Sequence, residues 1–107
     1  MDWLVPLRDF LDGVEASPQR AHIALNHGTM RVLLYAPRGE DPQGPHKQDE
    51  LYIIHTGKGL FRKGDAVKPF GPGDVIFVEA MAEHRFEDFT DDFAAWAVFW
   101  GPDGGEG

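Results

Sequence analysis

The chain has 107 residues, the size of one domain with a single hydrophobic core. Its 42% hydrophobic content, with eight Phe, three Trp and two Tyr, excludes a disordered chain, and its 13 Gly and eight Pro favour short elements joined by tight turns. The net charge of −8, without any run of Lys or Arg, argues against nucleic acid as a partner.

The sequence also predicts a cytoplasmic protein that has no membrane partner. Its first residues, MDWLVPLRDF, lack the basic and long apolar regions of a secretory signal, and no apolar stretch approaches the roughly 20 residues that span a bilayer. The absence of Cys excludes disulfides, thiolate metal sites and a cysteine nucleophile. Any metal must therefore be held by His, carboxylate or amide groups.

One short helix or turn, followed by a series of short strands, is predicted in chain order. Residues 4–14 carry apolar side chains at helical spacing, with Pro6 near the start and Gly13 at the end. Alternating or apolar runs then predict strands in the segments RAHIAL, MRVLLYA, DELYIIHT, LFRK, AVKPF, VIFVEA, EHRFEDF and FAAWAVFW. About eight to ten strands with close turn signals indicate an all-β sandwich or double-sheet barrel. We expect an N-terminal arm over about residues 1–20, a barrel over about 21–100 and a flexible tail over about 101–107.

The stretch GPHKQDELYIIHTGKG, residues 44–59, contains a candidate metal site. In an extended chain alternate side chains share a face, so His46, Gln48 and Glu50 project together. Imidazole and carboxylate groups bind divalent zinc, iron, manganese or nickel, and His84 is the obvious third donor from elsewhere in the chain. On spacing alone, however, a His and a Glu on one strand are more often a surface pair.

The order of these landmarks resembles the cupin superfamily, and the small single-domain cupins in particular, over about residues 30–100. His46, Glu50 and Gly57 stand at the spacings of the first cupin motif. Gly73 and His84 match the second motif, and the 15 residues between Gly57 and Gly73 match the compact intermotif length of small cupins. The resemblance implies a double-stranded β-helix, which is a jelly-roll barrel with its site inside, and a divalent metal held by His46, Glu50 and His84.

The chain departs from the cupin motifs at several positions. Gly44 stands where the first motif has a further ligand histidine, and Glu79, Met81 and Asp88 replace the usual Pro, Gly and Asn of the second. The three remaining ligands match the two-histidine, one-carboxylate set of non-haem iron oxygenases. The carbonyl oxygen of Gln48 is a candidate for the vacant fourth position, and Gln43 on the preceding loop is a weaker rival.

Other residues of chemical interest lie on the predicted strands. Tyr52 and Phe86 share faces with Glu50 and His84, so they either line a pocket around the metal or pack as ordinary core. His22 and His27 are predicted to be structural or exposed, His55 to lie on the outer face of its strand, and Asp49 to be a solvated carboxylate. In the strand FAAWAVFW both faces carry aromatic rings, and whichever face is outer offers an apolar patch of the kind that forms homodimers.

The resemblance leaves two functions open, and the missing histidine at Gly44 adds a third reading that ranks behind them, a barrel that has lost its metal. The first is a metal-dependent enzyme, a dioxygenase or an isomerase, that acts on a small organic molecule. The second is a non-catalytic module that binds or senses a small molecule. A fold shared by enzymes, storage proteins and regulators does not choose between them.

Overall fold

The computed structural model describes residues 2–107 and consists of eight antiparallel strands and one N-terminal helix. In chain order the elements are α1 (Leu7–Ala16), β1 (Ala21–His27), β2 (Met30–Tyr35), β3 (Asp49–Thr56), β4 (Gly59–Lys63), β5 (Ala66–Phe70), β6 (Val75–Val78), β7 (His84–Glu87) and β8 (Ala94–Trp100). The predicted all-β barrel with one short helix is confirmed.

The strands form two sheets that face each other across the main core. The larger sheet has the order β1-β2-β8-β3-β6, and the smaller has the order β5-β4-β7. Aromatic side chains from both sheets fill the space between them, and Phe86 and Phe93 meet at a centroid distance of 4.6 Å. Because period-two alternation governs each strand, β3 directs Glu50, Tyr52 and Ile54 into this interior.

The inner face of β8 carries small and aromatic side chains, which answers a question that the sequence left open. Ala95, Ala97 and Phe99 point into the barrel, whereas Trp96 and Trp100 lie on the outer face. Helix α1 covers part of that outer face, since Phe10 meets Trp96 edge-on at a centroid distance of 4.8 Å. A second, smaller core therefore lies between the helix and the large sheet.

The helix continues past Gly13, where the sequence predicted its end. A side chain at position 13 would place its Cβ only 2.0 Å from Cγ of His22, so glycine is the residue that lets the His22 ring of β1 approach the helix. Gly13 therefore serves close packing within the helix, which ends at Ala16. His22 accordingly has a structural role.

The C-terminal segment folds back onto the start of β3. Gly104 N–H donates a hydrogen bond to the Lys47 carbonyl oxygen at 2.7 Å. Glu106 N–H donates to Asp49 Oδ2 at 2.9 Å, and Ala80 N–H donates to the other oxygen of that carboxylate. These two donors lower the pKa of Asp49. Asp49, predicted to be a solvated group, thus joins the tail to the β6–β7 connection.

Candidate metal centre

Two histidines and a glutamate from separate parts of the chain meet inside the barrel mouth. Glu50 lies on β3, His46 lies three residues before that strand begins, and His84 is the first residue of β7. One ligand atom from each of these side chains lies within 4.8 Å of the other two. The structure therefore brings together the three residues that the sequence singled out.

Hydrogen bonds that involve backbone groups hold both histidines in place. Met81 N–H donates to the His46 carbonyl oxygen at 2.6 Å, which ties the loop before β3 to the connection before β7. His84 Nδ1–H donates to the Ala82 carbonyl oxygen at 2.9 Å, and a carbonyl can only accept. The other ring nitrogen of His84, Nε2, is thereby directed at Glu50.

One oxygen of the Glu50 carboxylate is buried without a hydrogen-bond donor. Among the side chains that the structure describes, Glu50 Oε1 is the buried polar atom that has no partner. It lies 3.4 Å from His84 Nε2 and 3.8 Å from His46 Nε2. An orphaned buried carboxylate oxygen is costly unless something cationic satisfies it. This orphaned oxygen beside two imidazole nitrogens fits a divalent transition metal.

Burial and the central carboxylate act on the two imidazoles in different proportions. For His46, burial is the largest influence and lowers the pKa, although Glu50 opposes it. For His84, burial also lowers the pKa, but interactions with Glu50 and the Ala82 carbonyl outweigh it, so the pKa of His84 is raised. A neutral His46 is the form that binds metals.

The amide nearest to this cluster belongs to Gln43, and Gln48 lies elsewhere. The chain bends at Lys47 and Gln48 before β3 begins at Asp49, so strand parity does not extend back through this segment. Gln48 accepts a hydrogen bond from Arg31 at 2.5 Å and donates to the Gly101 carbonyl at 2.7 Å. Its amide is therefore engaged away from the three candidate ligands.

Gln43 instead reaches the cluster from the loop between β2 and β3. Its Oε1 atom lies 3.0 Å from His46 Nε2 and accepts a hydrogen bond from the Tyr52 hydroxyl at 3.1 Å. Its Nε2–H group donates to Asp41 Oδ2 at 2.9 Å. Asp41 carried no signal in the sequence, because its buried position depends entirely on how the proline-rich loop folds over the barrel.

A mostly apolar cavity opens beside the cluster. Its volume is about 450 Å³, and its lining includes His46, Glu50 and Tyr52 together with Leu33 and Phe99. The Tyr52 oxygen lies 3.2 Å from His84 Nε2. Burial, followed by the charge of Glu50, raises the pKa of Tyr52 well above its ordinary value, so its hydroxyl keeps its proton.

Phe86 packs behind the site as part of the aromatic core. It is 1% exposed and contacts Tyr52 at a centroid distance of 4.8 Å and Phe61 at 4.9 Å. It therefore supports Tyr52 from behind. Of the remaining histidines, His55 lies on the outer side of the large sheet against Trp96, and His27 is exposed at the end of β1.

Within residues 2–107, no helix has the length and apolar character needed to cross a membrane.

Comparison with known proteins supplies the family. The cupin domain family matches residues 31–100 of this chain. An uncharacterised protein of Streptomyces coelicolor is 31% identical over 98 residues, which cover 89% of this chain and 93% of that protein.

Solved structures agree with this assignment. A cupin 2 conserved barrel domain protein from Salinispora arenicola has a TM-score of 0.64 and 25% identity, covering 77% of this chain and 75% of that one. A Neisseria meningitidis protein has the same fold, with a TM-score of 0.71 at 16% identity over 92% of this chain and 99% of that one. The family match spans both strands that carry the candidate ligands and the loop between β2 and β3. This chain therefore belongs to the cupin family.

Proposed function

We propose that this protein is a metal-dependent enzyme of dioxygenase or isomerase type that acts on a small organic molecule. One divalent transition metal would be held by His46, Glu50 and His84. The observation that carries the proposal is the buried Glu50 oxygen, which has no hydrogen-bond donor and lies beside two imidazole nitrogens. The apolar cavity next to these atoms supplies space for a substrate.

The donor set suits iron, manganese, zinc or nickel, because imidazole and carboxylate ligands bind each of these ions. When bound, such a metal supplies Lewis-acid chemistry, and iron or manganese adds the ability to exchange electrons. Three protein ligands leave room for further ligands from a substrate or from solvent.

The chain's own residues would position and select the substrate. The protonated Tyr52 hydroxyl can donate a hydrogen bond to a substrate oxygen once a substrate competes for it. Leu33, Ala97 and Phe99 form an apolar wall that excludes water and favours a substrate with a hydrocarbon portion. We therefore expect a small molecule that has an oxygen-bearing end and an apolar body.

Proteins with this fold catalyse different reactions. One structural neighbour is a DMSP lyase of Ruegeria pomeroyi, and another, from Ralstonia eutropha, is described as a candidate mannose-6-phosphate isomerase. Each is 21% identical to this chain, so the likeness concerns the fold alone. These neighbours are compatible with an enzymatic role and do not identify the substrate.

Metal content tests the proposal directly. Protein purified without added metal should contain about one divalent transition-metal ion per chain by elemental analysis, and His84→Ala should lose it. His55→Ala is the matched control, since His55 lies on the outer face against Trp96. Full retention of metal by His84→Ala would contradict the proposed ligand set.

A non-catalytic binding or sensing role is the second candidate. One observation favours it: among the described residues that line the cavity, the ionisable side chains other than His46 and Glu50 are those of Tyr35 and Tyr52, so the lining offers no separate carboxylate or imidazole as a base. Turnover separates the two roles. Iron-loaded protein that binds small molecules but consumes no oxygen and isomerises nothing across a broad panel of organic acids, sugars and aromatics would support the binding role.

A further inference from the structure

We propose that Gln43 provides a fourth donor atom, its side-chain carbonyl oxygen, to the metal, and that Asp41 is the positioning residue that aims it. This inference rests on the proposed function, because it concerns the same metal. It assigns the place left by Gly44 to an amide from the neighbouring loop position. The reasons are the location of the Gln43 oxygen, the orientation of its amide and the rigidity of its support.

The Gln43 oxygen lies next to one candidate ligand, His46, and next to the Tyr52 hydroxyl. Its distance is 3.0 Å to His46 Nε2 and 3.1 Å to the Tyr52 oxygen, which itself lies 3.2 Å from His84 Nε2. In the metal-free arrangement His46 Nε2–H can donate to this oxygen. In the tautomer that carries its proton on Nδ1, His46 Nε2 has a lone pair, and a cation that binds this nitrogen also finds the Gln43 oxygen beside it.

The amide orientation is set by Asp41. The oxygen and nitrogen atoms of a glutamine side-chain amide are distinguished by their hydrogen-bond partners. An ionised carboxylate only accepts hydrogen bonds, so the atom that contacts it is the nitrogen. Gln43 Nε2–H donates to Asp41 Oδ2 at 2.9 Å, and Gln43 backbone N–H donates to Asp41 Oδ1 at 3.1 Å. The nitrogen end therefore faces Asp41, and the oxygen end faces His46 and Tyr52.

Asp41 is itself anchored to the barrel. It is 3% exposed, and it also accepts hydrogen bonds from the Tyr35 hydroxyl at 2.5 Å and from Phe86 N–H at 2.9 Å. These donors come from β2 and from β7, the strand that begins with His84. Four donors occupy the four lone-pair sites of the carboxylate, so the loop is locked to the strands around the site.

Gln43 also occupies the boundary between two cavities. It lines the cavity of about 450 Å³ that contains His46 and Glu50, and it lines a second cavity of about 340 Å³ that contains His84. Position 44 cannot contribute a side-chain ligand, because glycine has no side chain. A donor from position 43 reaches the same group of atoms from the loop.

Cobalt binding tests this assignment, with affinity and spectrum as the readouts. Co²⁺ affinity is measured by competition with a chromophoric chelator, and the visible absorption of the bound Co²⁺ reports its ligand field. We expect Gln43→Ala to bind about 10- to 100-fold more weakly, the loss typical of perturbed metal sites, with an altered spectrum. Gln43→Leu should show the same loss of Co²⁺ affinity and the same change in spectrum, because leucine has a similar side-chain volume but no oxygen atom.

Gln48, the other glutamine in this segment of the chain, provides a matched control. Gln48→Ala removes an amide that contacts Arg31 and Gly101, so Co²⁺ affinity and spectrum should stay at wild-type values. Asp41→Asn should reproduce the Gln43→Ala spectrum, because the amide loses its fixed orientation. The double variant should then lose little more than either single one. Thermal unfolding of each metal-free variant verifies that it folds.

The outcomes separate this inference from the proposed function. Wild-type affinity and spectrum in Gln43→Ala or Gln43→Leu, with metal lost in His84→Ala, would overturn the role of Gln43 and leave the three-ligand site intact. A wild-type spectrum in Asp41→Asn would overturn the positioning role of Asp41. If the wild-type protein binds no Co²⁺, the proposed function and this inference both fail.

Discussion

At the scale of single residues, the most unusual feature is a buried carboxylate in which one oxygen has no hydrogen-bond donor. Glu50 is 2% exposed, and its Oε1 atom accepts no hydrogen bond. Sites of function often retain such unfavourable groups, because the ligand and not the fold satisfies them. The metal-free protein should therefore carry a free-energy penalty at this residue, and metal binding should remove it.

Glu50→Gln tests whether the carboxylate lowers the stability of the metal-free protein and is needed for stabilisation by metal. At a pH well above the raised pKa of His84, where both imidazoles are neutral, the substitution should raise the free energy of unfolding of the metal-free protein by roughly 1 kcal/mol. It should also abolish the increase in thermal stability that metal produces in the wild-type protein. Denaturant unfolding with and without metal measures both effects. A less stable metal-free Glu50→Gln variant would contradict the expectation.

Met81 is a second residue whose position has a measurable cost. Its φ angle is +70°, a left-handed conformation that bulky side chains rarely adopt, and its backbone N–H donates to the His46 carbonyl. The second cupin motif usually has glycine at this position. Met81 therefore stores backbone strain next to a candidate ligand.

Replacing this residue should relieve or increase the strain. Met81→Gly should raise the free energy of unfolding by up to about 1 kcal/mol, because released strain exceeds the added entropy of the unfolded chain. Met81→Val should lower it by about 1–2 kcal/mol, since a β-branched side chain tolerates this conformation poorly. Denaturant titration of both variants measures the difference. Higher stability in Met81→Val than in Met81→Gly would contradict this account.

At the scale of elements, helix α1 and the large sheet form a core of their own, away from the candidate ligands. Phe10 is 3% exposed and packs on Trp96 on the side of the sheet that faces away from the barrel interior. The helix thus stabilises the sheet without lining the site. Stability and metal binding should respond separately to substitutions in this helix.

Phe10→Ala should lower the free energy of unfolding by about 3–5 kcal/mol, because it opens a cavity in the smaller core. Leu11→Ala is the matched control, since Leu11 is 43% exposed and should cost less than about 1 kcal/mol. Below the unfolding transition, metal affinity should be the same in both variants. A change in affinity in Phe10→Ala would show that the helix supports the site.

At the scale of the whole molecule, exposed apolar side chains remain on the outer side of the large sheet. Ile53, Val75 and Phe77 are 37%, 62% and 49% exposed, and β6 forms one edge of that sheet. The sequence predicted a homodimer from aromatic rings of β8, but Trp96 is partly covered by α1. The homodimer stays a prediction, and strands β3 and β6 offer the larger exposed surface for it.

Phe77→Asp tests whether this surface pairs two copies of the chain. If it does, the wild-type protein should have the mass of a dimer by light scattering, and Phe77→Asp should shift towards the monomer because a buried charge opposes association. Thr29→Asp is a control in the β1–β2 turn at the opposite end of the sheet order. A monomeric wild-type protein would contradict the expected homodimer.

From the sequence alone one could predict about eight to ten strands, a short helix or turn, the resemblance to cupins and the three candidate ligands. Hydrophobic alternation, turn residues and motif spacing are local properties, and they persist in the folded chain. His46, Glu50 and His84 could be identified in the same way, because their positions in the sequence match the spacings of the two cupin motifs.

The path of the loop between β2 and β3 could not be predicted from the sequence and is visible only in the folded protein. Strand parity aligned Gln48 with the ligands, but the bend before β3 turns it towards Arg31 and brings Gln43 to the cluster. Asp41 became visible only when β2 and β7 supplied its donors. A loop has no periodicity, so its side chains are directed by hydrogen bonds to residues distant in the chain, and those partners exist only after the barrel has folded.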